Sequence, residues 1–372
     1  TTLTLNTKCY AAAIEGFSTV IDKLGQPAPV LTKQNLSERS YFAKNDRPAA
    51  AGRLDFTRSA RAITTLVRAL DHGGYWNPLA CPKIEAQGRV WLVSGAQAGK
   101  AASDSPAGTV LEVTDDSLTV ATSTAPVTLS GLRTATGAPA TPAQLANPGD
   151  TLPSPDAAEA ENLSNALKQT LKAEPKWRAR LEEMTPGALP LIDTGAPEAD
   201  ITSQALDLPD GTTSAHLRQA VAALFLHLSD SEEVTLAAEL AAESMGYLNP
   251  WVPVRASDIE TDLATAQAMG PFAADLIARI PGLAHPVTPA MGLSDSEHLS
   301  GTALTVTQTG TLFADTGKIA PDAVALMAAR LSHMVRQIAA GEIPNVLPEA
   351  ERNRVLYDWN ATQTDFPQDL CI

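Results

Sequence analysis

The chain has 372 residues, 44% of them hydrophobic and 19% charged, with a net charge of -15 at pH 7. That length allows more than one domain with its own core. The acidic balance opposes any wide contact with nucleic acid, whose phosphates demand clustered Lys and Arg, and no apolar run has the length of a membrane span. Cys9, Cys81 and Cys371 are odd in number and far apart, so they form neither a disulfide framework nor a metal knuckle. The start, Thr1-Thr2-Leu3-Thr4, has none of the features of a signal peptide, and a cytoplasmic location is expected.

Taken in order, residues 1–24 are predicted to be a helix, with Tyr10, Ile14, Phe17, Ile21 and Leu24 at three- and four-residue spacing. Gly25, Pro27 and Pro29 end it. A second helix is expected over 57–71, apolar at Ala60, Ile63, Leu66, Val67 and Leu70 and stopped by Gly73-Gly74. From 88 to 133 the period changes to two. Val90–Val93, Thr109–Val113, Leu118–Ala121 and Val127–Leu129 read as short strands between turns, a spacing that suggests a small antiparallel barrel. Residues 134–160, rich in Ala, Pro, Thr and Gly, show no pattern that buries a face and read as a linker open to proteases. Helices follow at 159–184, 213–228 and 322–340, the last with Pro321 at its start and Gly341 at its close. Val252–Val254 and Leu304–Thr307 read as strands.

No catalytic framework emerges. His227 reads as a helix-end histidine, and Asp230, Glu232, Glu233, Asp115 and Asp116 as solvated turns without metal-ligand spacing. Gly99-Lys100 lacks the remaining parts of a phosphate loop.

Two resemblances add to this reading. Leu3-Thr4-Leu5-Asn6-Thr7-Lys8-Cys9-Tyr10, Tyr41-Phe42, Leu66–Asp71, Asn77-Pro78-Leu79, Pro82-Lys83-Ile84 and Gly108-Thr109-Val110 resemble the C-terminal part of formyltransferases of the methionyl-tRNA formyltransferase type. The similarity is to the variant found at the front of some peptide synthetases. It implies that the catalytic Asn, His and Asp and the formyl-folate pocket belong to a preceding domain. It also implies a basic, tRNA-holding barrel in the tRNA enzyme. Here residues 51–150 carry 8 Lys/Arg against 8 Asp/Glu, so that role is not carried over.

Further along, Pro175-Lys176-Trp177-Arg178-Ala179-Arg180-Leu181 resembles words of the C-terminal lobe of a nonribosomal peptide synthetase condensation domain. So do Glu233–Leu236, Met245–Arg255 and Pro271-Phe272 with Asp275-Leu276-Ile277. That family's His-His-x-x-x-Asp-Gly signature is matched by none of His72, His216, His227, His285, His298 and His333. Finally, Leu347-Pro348-Glu349-Ala350-Glu351-Arg352 running into Tyr357-Asp358-Trp359-Asn360-Ala361-Thr362 resembles the connector to an adenylation domain.

Together the resemblances imply an α+β, multidomain chain. It would join a small antiparallel, OB-like β-barrel of the formyltransferase C-terminal type to half of a chloramphenicol-acetyltransferase-like condensation fold. Expected boundaries are 1–40, the end of a formyltransferase N-terminal domain; 41–135, the barrel; 136–158, a linker; 159–345, the condensation-type lobe; and 346–372, the adenylation linker. The implied role is non-catalytic docking, truncated of its catalytic lobe, with no catalytic, cofactor or metal residues in the chain. Adenylation and carrier domains and an upstream formyltransferase-type domain are the expected partners, without nucleic acid or membrane. Formyl-tetrahydrofolate and 4'-phosphopantetheine are implied only for those neighbouring domains. Two other readings stay open: part of a formyl- or acyl-transfer site on carrier-bound aminoacyl groups, and a carrier-protein or ligand binding module. Leu356, Tyr357, Trp359 and Phe366 are the candidate docking residues, with Tyr357 and Trp359 expected to pack partly back on the lobe.

Overall fold

A computed structural model describes residues 1–28, 31–190, 200–240, 246–283 and 288–362. These fall into two compact units. One comprises Thr1–Glu183, Ala241–Pro250 and Gly270–Val287; the other comprises Met184–Leu240, Trp251–Met269 and Thr288–Ile372. This division differs from the expected boundaries, because segments on both sides of residue 159 share the first unit.

The first unit opens with α1, Thr2–Leu24, started by a capping box between Thr1 and Thr4 and stopped at Gly25. Its first turn is held by Thr2, whose N–H donates to Asp71 O at 3.1 Å and whose Oγ1 donates to Ala69 O at 2.6 Å. α2, Ala60–Ala69, follows Ser59, whose side chain accepts from Ala62 N, and it buries Ala60, Ile63 and Val67. The strands β1 (Lys83–Ala86), β2 (Arg89–Leu92), β3 (Gly95–Ala98), β4 (Val110–Val113), β5 (Ser117–Val120), β6 (Val127–Ser130) and β7 (Arg133–Thr134) follow, and the stripe shares its core with Ile84, Trp91, Val110, Leu118, Val120, Val127 and Leu129. In β5 and β6, Leu118, Val120, Val127 and Leu129 alternate with half-buried residues, as a sheet covered on one face requires.

The antiparallel character expected for this region is present, but the strands do not close into a barrel. Among the described residues they form two open sheets, ordered β1-β2-β7 and β3-β6-β5-β4. The chain passes from one to the other between β2 and β3. There the pairing partner changes: Val93 N–H donates to Pro82 O, and Ser94 N–H donates to Ser130 O. Strands of four residues or fewer are too short to hold both neighbours through such a switch.

The reading of 134–160 as a free linker is also corrected. Leu145, Ala146 and Leu152 are buried in the same core as β5 and β6. Val110 N–H donates to Asp150 O, Gly149 N–H to Val110 O and Leu152 N–H to Gly108 O, at 2.8, 2.8 and 2.9 Å. The close approach needs Gly108, which has a φ of 90° and where a Cβ would meet Leu152 O at 2.5 Å. Isolated apolar residues can be buried without any period when their backbone groups are bonded to a strand. Limited proteolysis should therefore leave 134–160 intact among the early cuts, as read by mass spectrometry of the first fragments. An early cut there would contradict this packing.

The predicted helix at 159–184 is two helices, α3 (Ala157–Thr170) and α4 (Glu174–Glu182), with Pro175 in the first turn of the second. Trp177 of α4 is fully buried in this unit. Its ring centroid lies 5.5 Å from that of Phe272, and its Nε1 donates to Gly270 O at 3.0 Å. Segments 246–250 and 270–274 are tied by Asn249 N–H to Phe272 O and by Ala274 N–H to Tyr247 O.

The second unit is built on a six-stranded sheet ordered β10-β9-β11-β12-β13-β8 among the described residues. Its strands are β8 (Ile201–Ala205), β9 (Thr235–Glu239), β10 (Trp251–Arg255), β11 (Met291–Ser294), β12 (Leu304–Thr307) and β13 (Thr311–Asp315). β11 runs parallel to both β9 and β12; the outer pairs are antiparallel. β11 and β12 are buried at every position, as expected of central strands in a covered sheet. Helices Ser214–Leu228 and Pro321–Ala339 pack against each other through their apolar stripes. Mixed helix and sheet thus hold throughout, in agreement with the α+β expectation.

Candidate functional site

Polar chemistry in the first unit concentrates on a buried chain of charges. Lys83, at the start of β1, donates from Nζ to Asp275 Oδ2 at 2.6 Å, Ala51 O at 2.8 Å and Cys81 O at 2.9 Å, using all three protons. Ala50, Ala51 and Gly52 all have positive φ, and this tight turn supplies the Ala51 carbonyl. Asp275 Oδ2 also accepts from Cys81 N–H at 2.7 Å. One helical turn on, Arg279 donates to Glu174 Oε2 at 2.6 Å and to Asn77 O at 3.3 Å. Arg47 then reaches Glu174 Oε1 at 3.4 Å.

Burial alone would raise the Asp275 pKa, but Lys83 and Arg279 outweigh it and hold the carboxyl below the usual range. Burial likewise opposes the Arg279 charge, which Asp275 and Glu174 more than restore. Burial, followed by the charge of Asp275, pushes the Cys81 thiol up to about 11. Cys81 is therefore protonated at neutral pH and a poor nucleophile, and Asp275 is ionised, with Lys83 and the Cys81 N–H both donating to its Oδ2. The arrangement can hold segments together; it is not poised for proton transfer.

The described histidines occupy local roles. His216 completes the capping box of Thr213, His227 sits in the last turn of its helix as expected, and His298 faces Thr302 O at 3.2 Å. Burial lowers the His298 pKa. His285 lies outside the described residues. No metal-holding group of His, Cys, Asp and Glu occurs among the described residues.

The docking candidates of the second unit follow the short helix Glu349–Asn353, on the turn Arg354–Asp358. Arg330 grips Glu351 through two hydrogen bonds, Nε to Oε2 and Nη2 to Oε1, which fixes where this helix starts. Leu356, Tyr357 and Trp359 are 46%, 67% and 68% exposed. Tyr357 and Trp359, expected to pack partly back on the lobe, thus leave most of their surface in water. Phe366 lies outside the described residues.

A second apolar surface escaped the sequence reading. α1 buries none of its residues, and Tyr10, Ile14 and Phe17 are 73%, 75% and 67% exposed along one stripe. Its periodicity announced an amphipathic helix but could not say that the apolar face has no cover within this unit.

Comparison with known proteins found one family and several solved structures. Residues 48–148 match the family Formyl transferase, C-terminal domain. Among solved structures, the chain is similar to the X-domain in its complex with OxyB from teicoplanin biosynthesis. The identity is 14%, over 62% of this chain and 72% of that one, with a TM-score of 0.39. It is also similar to the starter condensation domain of rhizomide synthetase RzmA, at 16% identity over 49% of this chain and 55% of that one, with a TM-score of 0.35. The nonribosomal peptide synthetase FmoA3 is similar at 12% identity over 56% of this chain and 32% of that one, with a TM-score of 0.36. The chain thus spans about half the length of the rhizomide domain and a third of FmoA3. No curated protein matches the sequence. The family match coincides with the formyltransferase resemblance.

Lys83 and Asp275 come from these two different sets of words, Pro82-Lys83-Ile84 and Pro271-Phe272 with Asp275-Leu276-Ile277. Their pairing across 192 residues is the buried contact that the sequence reading missed. A lone Lys in a strand and a lone Asp before a short helix carry no local signal of a partner.

Proposed function

We propose that the chain is a non-catalytic docking segment of a nonribosomal peptide synthetase, placing a formyltransferase-type domain beside an adenylation domain. The observation that supports this best is the row of exposed apolar residues Leu356, Tyr357 and Trp359 on a segment anchored by Arg330. Large apolar side chains left in water on a pinned backbone mark an interaction surface. Connector words at the same positions make the adenylation domain the partner, and the uncovered stripe of α1 suits the upstream domain. In this reading the formyl-folate and phosphopantetheine chemistry belongs to the neighbours, in the cytoplasm. Among the described residues no helix is long and apolar enough to cross a membrane.

Trp359→Ala in a longer chain carrying the adenylation domain should loosen the two parts without unfolding either. A larger radius of gyration in small-angle scattering and faster proteolysis between them are the expected results. If both stay unchanged, the docking surface is not there. The competing transferase reading would instead require this chain to turn over formyl-tetrahydrofolate with an aminoacyl carrier protein.

A further inference from the structure

A cavity of about 290 Å³ lies within the first unit, walled by Asp71, His72, Asn77, Cys81, Arg133 and Arg279 among others. Its volume is at the small end of ligand pockets, which run from roughly 300 to 1,000 Å³. Most of its polar wall is already committed. Asn77 donates to Leu70 O and Ala80 O and accepts from Leu79 N–H. Asp71 Oδ1 accepts from Gly73 N–H, and His72 Nδ1 faces Leu70 O. Cys81 is a neutral thiol.

The two guanidinium groups are different. Nε of Arg133 and Nε of Arg279 are both buried without a hydrogen-bond acceptor. Arg279 still has Glu174 and Asp275 as counter-charges, with its Nε 3.5 Å from Asp275 Oδ1. Arg133, on β7, makes no ion pair among the described residues. A buried N–H of a cation with no acceptor is costly unless a ligand supplies one, and a guanidinium fork is shaped for the paired oxygens of an oxyanion.

We propose that this cavity binds a small oxyanion, a carboxylate or phosphate group, on Arg133, with Arg279 as the second cationic wall. The inference is independent of the docking reading, since the cavity shares no residue with the exposed surfaces.

The test uses the full chain at fixed ionic strength in chloride, with inorganic phosphate and succinate as separate probes, followed by calorimetric titration and thermal shift. At least one probe should bind, and Arg133→Gln should weaken it by roughly tenfold or more, as loss of a charge-assisted hydrogen bond implies. Arg133→Lys should recover part of the affinity, and the exposed Arg61→Gln should change nothing. Circular dichroism of each variant confirms that it is folded. Preference for phosphate or for succinate identifies the source of the oxyanion. Failure of both probes to bind, or equal binding by folded Arg133→Gln, overturns the proposal.

Discussion

Asp275→Asn should cost about 3–5 kcal/mol of folding stability at neutral pH, the range for stripping one partner from a buried ion pair. The substitution keeps the shape of the side chain and leaves the Lys83 ammonium among Ala51 O and Cys81 O with no counter-charge. Lys83→Met should also destabilise, but less, because Arg279 still faces Asp275. Replacing both by apolar residues should cost clearly less than the sum, since most of each single loss is the stranded charge.

The pH dependence has a definite sign. The folded Asp275 carboxyl titrates below its ordinary value, so its contribution is fully present above the unfolded pKa of about 3.9. It is lost as pH falls through the depressed folded value. Wild type should therefore weaken steeply on the acid side, and Asp275→Asn should flatten that limb. Urea denaturation followed by fluorescence from pH 7 downward measures both effects. Single substitutions that each cost under about 1 kcal/mol would show that the network contributes little.

Trp177→Ala should produce a loss of similar size, about 3–5 kcal/mol, through the cavity left by the largest side chain in this part of the core. The indole fills the space beside Phe272, and its N–H is the partner of Gly270 O. Alanine empties the first and orphans the second. Trp177→Phe keeps an aromatic ring against Phe272 and gives up the hydrogen bond, so about 1–3 kcal/mol is expected. Chemical denaturation of the two variants separates packing from hydrogen bonding. A loss for Trp177→Ala no greater than that for Trp177→Phe would mean that the surroundings collapse to fill the site.

Local elements were legible in the sequence wherever a period and its punctuation agree. The stripe of Ile63 and Val67 before Gly73-Gly74 gave α2, and Leu217, Val221 and Leu224 gave the helix Ser214–Leu228. The alternation through Leu118 and Val120 gave β5. These signals are local because capping, helix pitch and strand pleat act within a few residues. Short strands without alternation, such as Gly95–Ala98 and Arg133–Thr134, had no such signal.

By itself, then, the sequence determined the periodic helices and strands, the net negative charge that disfavours nucleic acid and the composite of formyltransferase and condensation words. Only the tertiary structure decided that 134–160 is buried and that the strands form two open sheets. The same holds for the pairing of Lys83 with Asp275, and for α1 and Trp359 being left in water. The physical reason is common to all of these. Burial and charge pairing depend on which residues arrive from distant parts of the chain, and an apolar stripe or a lone charge looks the same whether its partner comes or not.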